Sequence, residues 1–561
     1  MIKHWTLKKS TFSDPIAQIL SNRGIKGKKD QERFLEPRYE RDLFDPFLMR
    51  GMKEAVARIK KALAAQEKIG IFGDYDVDGV CGSIILCEFL ERFGATPFFE
   101  TYLPDRQKDG YGLNMGGLSY FKEQGVTLVI TVDCGITDHK EIQWAGEHGM
   151  DVIVTDHHEV SQGLPPAKVV LNPKQKNDTY PFSKLAGTGV AFKLAQALRK
   201  EMNHERISES WEKWLLDLVA FATVADQMDL VSENRALVKY GLLVFAKTRR
   251  VGLKELIRVS RIDQGEITTQ DLLYQLAPRV NAASRIDHAL KAFKLLTSKD
   301  AGQARELADE IDRSNKKRQA LVAKALKEAD EHIQKNFSTI KKDSFILEGS
   351  KNWPAGVCGL VANKLLDRYG YPAFIFSKGE KVIKGSARSY PPFSVVEVMK
   401  GAAPSLLDWG GHHQAGGFSL LSSKLGAFKQ LIKRETAKLK GKKIAPTLTI
   451  DLELKAQDVT LDLWDRLQKL EPFGKGNPEP LFLLKGVAVN AARKVGAAQD
   501  HFKLALKKDD HFFNAIYFRG VADNHLLREG DKADVVFHLK RSTWGVSTQP
   551  ELHIVDLKRK A

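Results

Sequence analysis

Three carboxylates, Asp74, Asp76 and Asp78, occupy alternate positions in the run Gly73-Asp74-Tyr75-Asp76-Val77-Asp78-Gly79. Like charges this close repel and raise one another's pKa, so either a cation or several backbone donors must hold them. An EF-hand loop also begins with alternate acids and a glycine, but Ile85 stands where its bidentate Glu would be, six residues after Gly79. That argues against calcium. For this loop alone, an amino-terminal helix cap with surplus solvated carboxylates remains an equal alternative. Two further clusters change the balance: the apolar run Val126 to Val132 leads into Asp133-Cys134-Gly135, and Asp151 to Thr155 leads into Asp156-His157-His158. A lone histidine is more often structural, but Asp76, Asp78, Asp133, His157 and His158 together form an oxygen-rich set with one or two imidazoles. Such ligands suit manganese or magnesium, and less securely zinc or cobalt, with a carboxylate bridging two ions about 3.5 to 4 Å apart. Asp226 is a polar break in an otherwise apolar helix and offers a further ligand, although by itself it reads as a helix terminus.

The elements that must position these residues follow from hydrophobic periodicity. From Lys68 onward, short apolar runs alternate with amphipathic stretches, the signature of a parallel α/β fold. Runs rich in β-branched residues that end abruptly in polar ones are strands buried on both faces, and open sheets of this kind bind ligands beyond the carboxyl ends of their strands. A helical region from Val190 to Phe245 completes this domain, with Trp211, Trp214 and Leu215 as core. Ser298 to Phe337 has no proline and one glycine, which predicts a long helix or a close helix pair acting as a connector. A second α/β unit follows, with strands near FILEG, AFIFS and KVIKGSARS, a helix near GVCGLVANKLLDRYG, and a terminal basic helix. Lys424 to Lys443 holds eight Lys or Arg against one Glu. After Pro446, evenly spaced strand candidates suggest a small barrel of the oligonucleotide-binding (OB) type. Its Phe512, Phe513, Tyr517 and Lys540 are candidates for gripping a single strand, with barrel core the equal alternative for the aromatics.

The 561 residues carry a formal charge of +17, with 43% apolar and 28% charged residues, the composition of a folded multidomain protein with a polyanionic partner, nucleic acid first. No uncharged apolar run approaches the roughly 18 residues of a membrane span. The amino terminus lacks an apolar signal segment, and the four cysteines show no metal or disulfide spacing. A cytoplasmic protein with no membrane association is expected.

The ordered series DYDVDG, VDCG, TDHH and TVAD resembles the DHH phosphoesterase superfamily. YLPDRQKDGYG, APRVNAASRID, NKKRQ, GSARS, GGHHQAGG and EPFGKGNPEPLF extend the resemblance over most of the chain to the RecJ family of single-strand-specific 5′→3′ DNA exonucleases. GGHHQAGG resembles the glycine-rich motif of the accessory DHHA1 domain. The resemblance implies that Asp76, Asp78, Asp133, His157 and Asp226 hold two divalent ions, Mn2+ or alternatively Mg2+, with Asp133 as the bridge. Asp74 and His158 are supporting groups, and His158 counts with the ligands among the catalytic residues. It also implies that Arg106, Arg279, Ser386, Arg388 and His412 bind substrate phosphates. Phe72 stands where family II pyrophosphatases carry a metal-binding histidine, which argues against that activity. Ser284 and Gly416 replace a common glycine and a frequent alanine, and Ser284 puts the backbone path beside Arg285 in question.

The expected fold is thus α/β: an N-terminal segment (1–65), a parallel-sheet DHH domain (66–297), a connecting helix (298–338), a smaller α/β DHHA1 domain (339–445) and an OB-like β-barrel (446–561). The expected activity is metal-dependent 5′→3′ degradation of single-stranded DNA to 5′-mononucleotides in recombination and repair, with single-strand-binding protein and a helicase as further partners. A short-oligonucleotide phosphodiesterase and a catalytically silent DNA-binding scaffold are the alternatives.

Overall fold

The computed structural model describes the chain except residues 1–2, 96–97, 107, 161–162, 203–206, 209, 440–441, 524–527, 543–548 and 561. It divides into two compact units: Gly27–Lys317 with Leu470–Pro478, and Met1–Lys26 with Arg318–Lys469 and Glu479–Ala561.

The first unit is built on five parallel strands in the order Phe99–Tyr102, Lys68–Gly73, Val126–Val132, Asp151–Thr155, Val169–Leu171. Alternate side chains feed two cores. Ile69, Ile71, Leu128, Ile130 and Ile153 pack against the helices Val77–Arg92, Gly187–Met202 and Leu216–Ala225. Phe72, Val129, Val152 and Val154 pack on the other side with Phe121 and Ile142, from the helices Met115–Glu123 and His139–Glu147. Burial on both faces explains why these strands read as nearly continuous apolar runs. Phe72 is fully buried and stacks on Tyr102 at 5.2 Å, so the position is core. Trp211 and Leu215 are core as expected, whereas Trp214 is half-buried under the guanidinium of Arg249, 3.9 Å from the ring centroid. Ser284 lies inside the helix Ala277–Ile286, its hydroxyl donating to the Asn281 carbonyl at 3.2 Å, so the path beside Arg285 is helical.

The expected connector is one helix, Ala301–Lys335, followed by a short one, Phe337–Asp343. It is more than a spacer. Ala304, Ala308 and Ile311 join the core of the first unit, and Val322, Ala325, Ala329 and Ile333 join a core of the second.

In the second unit a mixed five-stranded sheet runs Asp408–His412, Ala415–Leu421, Val382–Arg388, Ala373–Lys378, Ile346–Ser350. Two of its strands meet in the glycine-rich motif: GGHHQAGG lies in a hairpin with Gly411 opposite Gly416 and His412 opposite Ala415. The basic stretch forms the helix Leu425–Thr436, extended by a 3-10 turn over Ala437–Leu439, and its residues 440–441 lie outside the described residues. The carboxyl-terminal strands Phe482–Val495, His501–Lys508, His511–Tyr517, Pro550–Lys560 and Lys532–Arg541 close into a five-stranded barrel through pairing of the first with the last. Within it Phe513 and Tyr517 point inward and are core, and Lys540 is paired with Glu479 at 2.7 Å. Of the four residues singled out for strand binding, Phe512, 66% exposed, and the half-buried Lys540 keep surface positions.

The amino-terminal segment is divided between the units. His4–Leu7 pairs in parallel with Thr447–Ile450, whereas Tyr39, Met52, Val56 and Ile59 enter the core of the first unit. Leu470–Pro478, counted above with the barrel, belongs to the first unit.

Candidate metal and catalytic site

The acidic loop Asp74–Asp76 sits between the Lys68–Gly73 strand and the Val77–Arg92 helix. Asp76 is the N-cap of that helix, its Oδ1 accepting from the amides of Asp78 at 2.8 Å and Gly79 at 3.3 Å. A Cβ on Gly79 would lie 2.4 Å from the Asp74 amide nitrogen and carbonyl oxygen, so only glycine lets the loop close this tightly. Asp78 is buried, and its two carboxylate oxygens accept from the amides of Gly187 and Thr188, both at 2.7 Å. The cap reading therefore holds for part of this cluster, but it leaves Oδ1 of the buried Asp74 without a hydrogen-bond partner among the described residues.

At the end of the next strand Asp133 adopts φ 61°, a left-handed conformation uncommon outside glycine. Its carboxylate is buried and Oδ1 has no hydrogen-bond partner among the described residues. Gly187 makes room for it, since a Cβ there would lie 2.6 Å from the Asp133 Cβ and 2.8 Å from Oδ1. The third strand end delivers Asp156-His157-His158. His157 Nε2 lies 3.1 Å from Asp133 Oδ1, 3.7 Å from Asp78 Oδ2 and 3.6 Å from Asp226 Oδ2. Asp226 caps the carboxyl end of the Leu216–Ala225 helix, so it is the terminus of that helix and not a break within it. Three overlapping groups result: Asp74, Asp76 and Asp133; Asp133, His157 and His158; and Asp78, His157 and Asp226, each with one ligand atom per residue mutually within 4.8 Å. Asp133 and His157 are each shared by two of them.

Burial is the main force pushing the carboxyls of Asp74, Asp76, Asp133 and Asp226 above their ordinary range, and mutual repulsion adds to it. Burial also pulls His157 down to about 4, leaving a neutral imidazole able to donate a lone pair at pH 7. Burial opposes ionisation of Asp156, but the hydrogen bond and charge of His158 outweigh it and hold the carboxyl down to about 2. His158 in turn rises to about 9, its burial outweighed by Asp156. Orphaned buried oxygens, a neutral imidazole and carboxylates that resist ionising together fit divalent cations, which relieve all three at once.

Comparison with known proteins shows the family. The family model of the DHH family N-terminal domain matches residues 68–223, that of the DHHA1 domain 342–438, and that of the RecJ OB domain 450–556. The single-stranded-DNA-specific exonuclease RecJ of Bacillus subtilis is 37% identical over 544 residues, covering 96% of this chain and 67% of its own. That of Haemophilus influenzae is 30% identical, covering 88% of each. The chain belongs to the RecJ family. The crystal structure of RecJ from Thermus thermophilus in complex with Mn2+ superimposes with a TM-score of 0.83 at 29% identity, covering 100% of this chain and 80% of that one. A Mg2+ complex of the same protein matches at 0.78 and 28% identity, covering 100% and 78% of the two chains.

The phosphate-binding residues implied by the RecJ resemblance are distributed over both units. In the first, the Arg106 guanidinium lies over the Tyr75 ring, 4.7 Å from its centroid, beside the acidic loop. Arg279 is already engaged: Nε binds Asp312 at 2.9 Å and Nη1 donates to the Gln275 carbonyl at 2.7 Å. In the second, Arg388 and His412 both pair with Ala415, and Ser386 lies two residues from Arg388 on the same strand, so the three share one sheet face. That face packs on the helix Ala355–Tyr369, whose start has no side-chain cap and no acidic residue in its first turn. A Cβ on Gly359 of this helix would lie 2.8 Å from Arg388 Nη2, so the guanidinium rests directly on the first turns. Gly416 is tight as well: an alanine Cβ would stand 3.0 Å from Val395 Cγ1.

Several contributors escape sequence reasoning. The fully buried Asp156 orients the site: Oδ1 accepts from the amides of His157 and His158 and binds His158 Nδ1 at 2.8 Å, and Oδ2 accepts from the Ile136 amide at 3.0 Å. The Tyr111 hydroxyl donates to the Asp133 carbonyl at 3.0 Å and lies 3.0 Å from His158 Nδ1. Asn281 Oδ1 accepts from the Val77 amide at 3.2 Å. Gly187 and Thr188 open the helix Gly187–Met202 and carry no local signal of their partner, and Tyr111 and Asn281 lie inside the RecJ-like segments YLPDRQKDGYG and APRVNAASRID with no role attached.

Proposed function

We propose that this protein is a metal-dependent exonuclease that degrades single-stranded DNA from the 5′ end, releasing 5′-mononucleotides in DNA recombination and repair. The observation that carries the reading is the set of overlapping acid and imidazole groups sharing Asp133 and His157. The relatives named single-stranded-DNA-specific exonucleases support the substrate, and the RecJ crystal structures with Mn2+ and Mg2+ support the cofactor. Asp74, Asp76, Asp78, Asp133, His157 and Asp226 would hold two divalent ions, Mn2+ first. Bound there, such cations neutralise the phosphodiester, ease deprotonation of water and stabilise the departing 3′ oxygen.

The chain's own residues prepare for this. Asp156 fixes the orientation of His158 and of the His157 backbone, the left-handed turn at Asp133 aims its carboxylate at His157, and Gly187 and Thr188 clamp Asp78. In the second unit Ser386, Arg388 and His412 would bind substrate phosphate, where the helix start beneath Arg388 has no side-chain cap and favours an anion, and in the first unit Arg106 and Arg279 would bind phosphate as well. The barrel favours a long strand over a dinucleotide substrate. The cytoplasm as compartment is supported by four buried free cysteines and by the absence, among the described residues, of a helix long and apolar enough to cross a membrane. Single-strand-binding protein and a helicase as partners rest on the family resemblance.

Purified protein with Mn2+ should shorten 5′-phosphorylated, 3′-labelled single-stranded DNA one nucleotide at a time and leave blunt duplex intact. Digestion from the 3′ end, or equal digestion of duplex, would refute this reading.

A further inference from the structure

The chain reversal that begins at Asp226 has an uncommon backbone. The Leu216–Ala225 helix closes there with the Gln227 amide donating to the Val224 carbonyl at 3.1 Å and the Met228 amide to the Thr223 carbonyl at 3.0 Å. This pair of bonds usually puts glycine in the left-handed position just past the cap. Here Gln227 takes that position at φ 53°, and Ser232, which opens the next helix, Ser232–Ala246, is left-handed as well at φ 50°. Residues with side chains are strained at such angles, so the reversal persists only where its surroundings hold it.

The support comes from Leu470–Pro478, joined in sequence to the barrel but part of the first unit. The Leu230 amide donates to the Lys475 carbonyl at 2.7 Å. A Cβ on Gly474 would lie 2.6 Å from Cδ1 and 3.2 Å from Cγ of Leu230, which is buried. One on Gly476, at φ 76°, would lie 3.0 Å from the Cβ and 3.3 Å from the Cα of Asp229. Both glycines thus let this arm lie flush against the reversal. The arm is itself stiff. Arg235, 1% exposed and on the helix that the reversal enters, donates to the carbonyls of Leu470 at 2.9 Å and Glu471 at 2.7 Å. The buried Asn477 donates to the Leu470 and Pro472 carbonyls, both at 2.8 Å, and Thr269 Oγ1 to the Phe473 carbonyl at 2.6 Å. Gly474 and Asn477 exchange amide to carbonyl bonds at 2.9 and 3.1 Å, closing a tight turn.

Asp226 shares a ligand group with Asp78 and His157, its Oδ2 3.6 Å from His157 Nε2. Asp78 is clamped by the Gly187 and Thr188 amides, whereas Asp226 is only as fixed as the reversal it begins. We propose that Leu470–Pro478 is a positioning element of the metal site, bracing the reversal at Asp229 and Leu230 so that the Asp226 carboxylate stays opposite His157. Cation binding by that group then depends on a segment that follows the DHHA1 domain in sequence. The proposal rests on the metal-binding reading above and adds the element that completes it.

The test uses the full chain. Gly474→Ala sets a methyl group against Leu230 and should weaken Mn2+ binding, read by calorimetry, by about tenfold or more, as loss of support behind a metal ligand does. Hydrogen exchange of the metal-free variant should speed up at Asp226–Leu230 and stay at the wild-type rate at Asp156–His158. Adding Leu230→Val, which removes the Cδ1 that the new methyl meets, should restore most of the Mn2+ affinity. Should Gly474→Ala fail to fold, Thr269→Val, which deletes only the hydroxyl bond to the Phe473 carbonyl, must show the same two changes in weaker form. Wild-type Mn2+ affinity despite faster exchange at Asp226–Leu230 would overturn the proposal, as would a loss that Leu230→Val does not repair. A wild-type protein that binds no Mn2+ would sink the metal reading itself, whereas unchanged affinity in the variant beside a wild type that does bind it would sink the role of the arm alone.

Discussion

Asp133 combines a left-handed backbone, a buried carboxylate with an orphaned oxygen, and repulsion from Asp74, Asp76, Asp78 and Asp226. Each feature costs stability in the absence of a cation. Asp133→Asn should therefore cut hydrolysis by more than about a hundredfold, since the position is shared between two ligand groups. In chelator it should melt no lower than wild type, because one repelling charge is gone and asparagine tolerates the left-handed region. Retained turnover, or a clear loss of metal-free stability, would count against the shared-ligand assignment. The Asp156 and His158 pair makes a second residue-scale prediction. Its histidine is raised to about 9 from an unfolded value of about 6.5, so its contribution is complete below pH 6.5 and lost as pH rises through 9. The partner carboxyl, held down to about 2, contributes above about pH 4 and loses that contribution only as pH falls through about 2. Metal-free wild type should thus lose more stability between pH 6.5 and 9 than Asp156→Asn, a difference that urea melts at a series of pH values would reveal. Parallel pH profiles would show that the pair carries no linkage.

The element that decides how the barrel meets a strand is His511–Tyr517. Phe513, Ala515 and Tyr517 fill the interior, so Phe512 and, just beyond the strand, Phe518 face outward, 66% and 51% exposed. Lys507 lies 5.1 Å from the Phe512 ring centroid, and His501 and His553 stand edge-on to Phe518 at 5.4 and 5.6 Å. Exposed rings suit base stacking, and Lys507 adds a cation beside Phe512. Replacing Phe512 and Phe518 together by alanine should weaken affinity for a long oligonucleotide by about 1–3 kcal/mol per lost stack while sparing cleavage of a dinucleotide. Equal losses on both substrates would assign the rings to folding. Point substitutions are the informative variants here, because truncation at Thr447 would also remove Leu470–Pro478 and leave the buried Arg235 facing no carbonyl acceptor there.

At the scale of the whole molecule, all the carboxylates and imidazoles of the metal groups belong to one compact unit. Mn2+ at 100 times its dissociation constant stabilises the state that binds it by about 2.7 kcal/mol. Hydrogen exchange should accordingly slow on Mn2+ addition around Gly73–Gly79, Asp133–Ile136 and Asp156–His158, with little change in the Ala373–Lys378 strand of the other unit. Uniform slowing across both sheets would contradict a metal site confined to the first unit. The charge of +17 adds a general attraction for nucleic acid that salt should weaken steeply.

What the sequence determined by itself is local. Strands buried on both faces need unbroken apolar runs, and the residues after each run must emerge at the carboxyl edge, so the positions of Asp74, Asp133 and Asp156-His157 were legible in the sequence. Tertiary structure decided what depends on register and distant partners. Whether Phe512 or Phe513 faces solvent turns on a one-residue phase that composition does not set. Trp214 leaves the core for Arg249, Arg279 is drawn to Asp312, and His4–Leu7 pairs with a strand more than 400 residues away, each through a partner with no neighbouring sequence signal. The same holds for Gly187 against Asp133 and for Arg235 with Leu470–Pro478. Close approach between segments far apart in the chain is a property of packing, and packing appears only when the chain is folded.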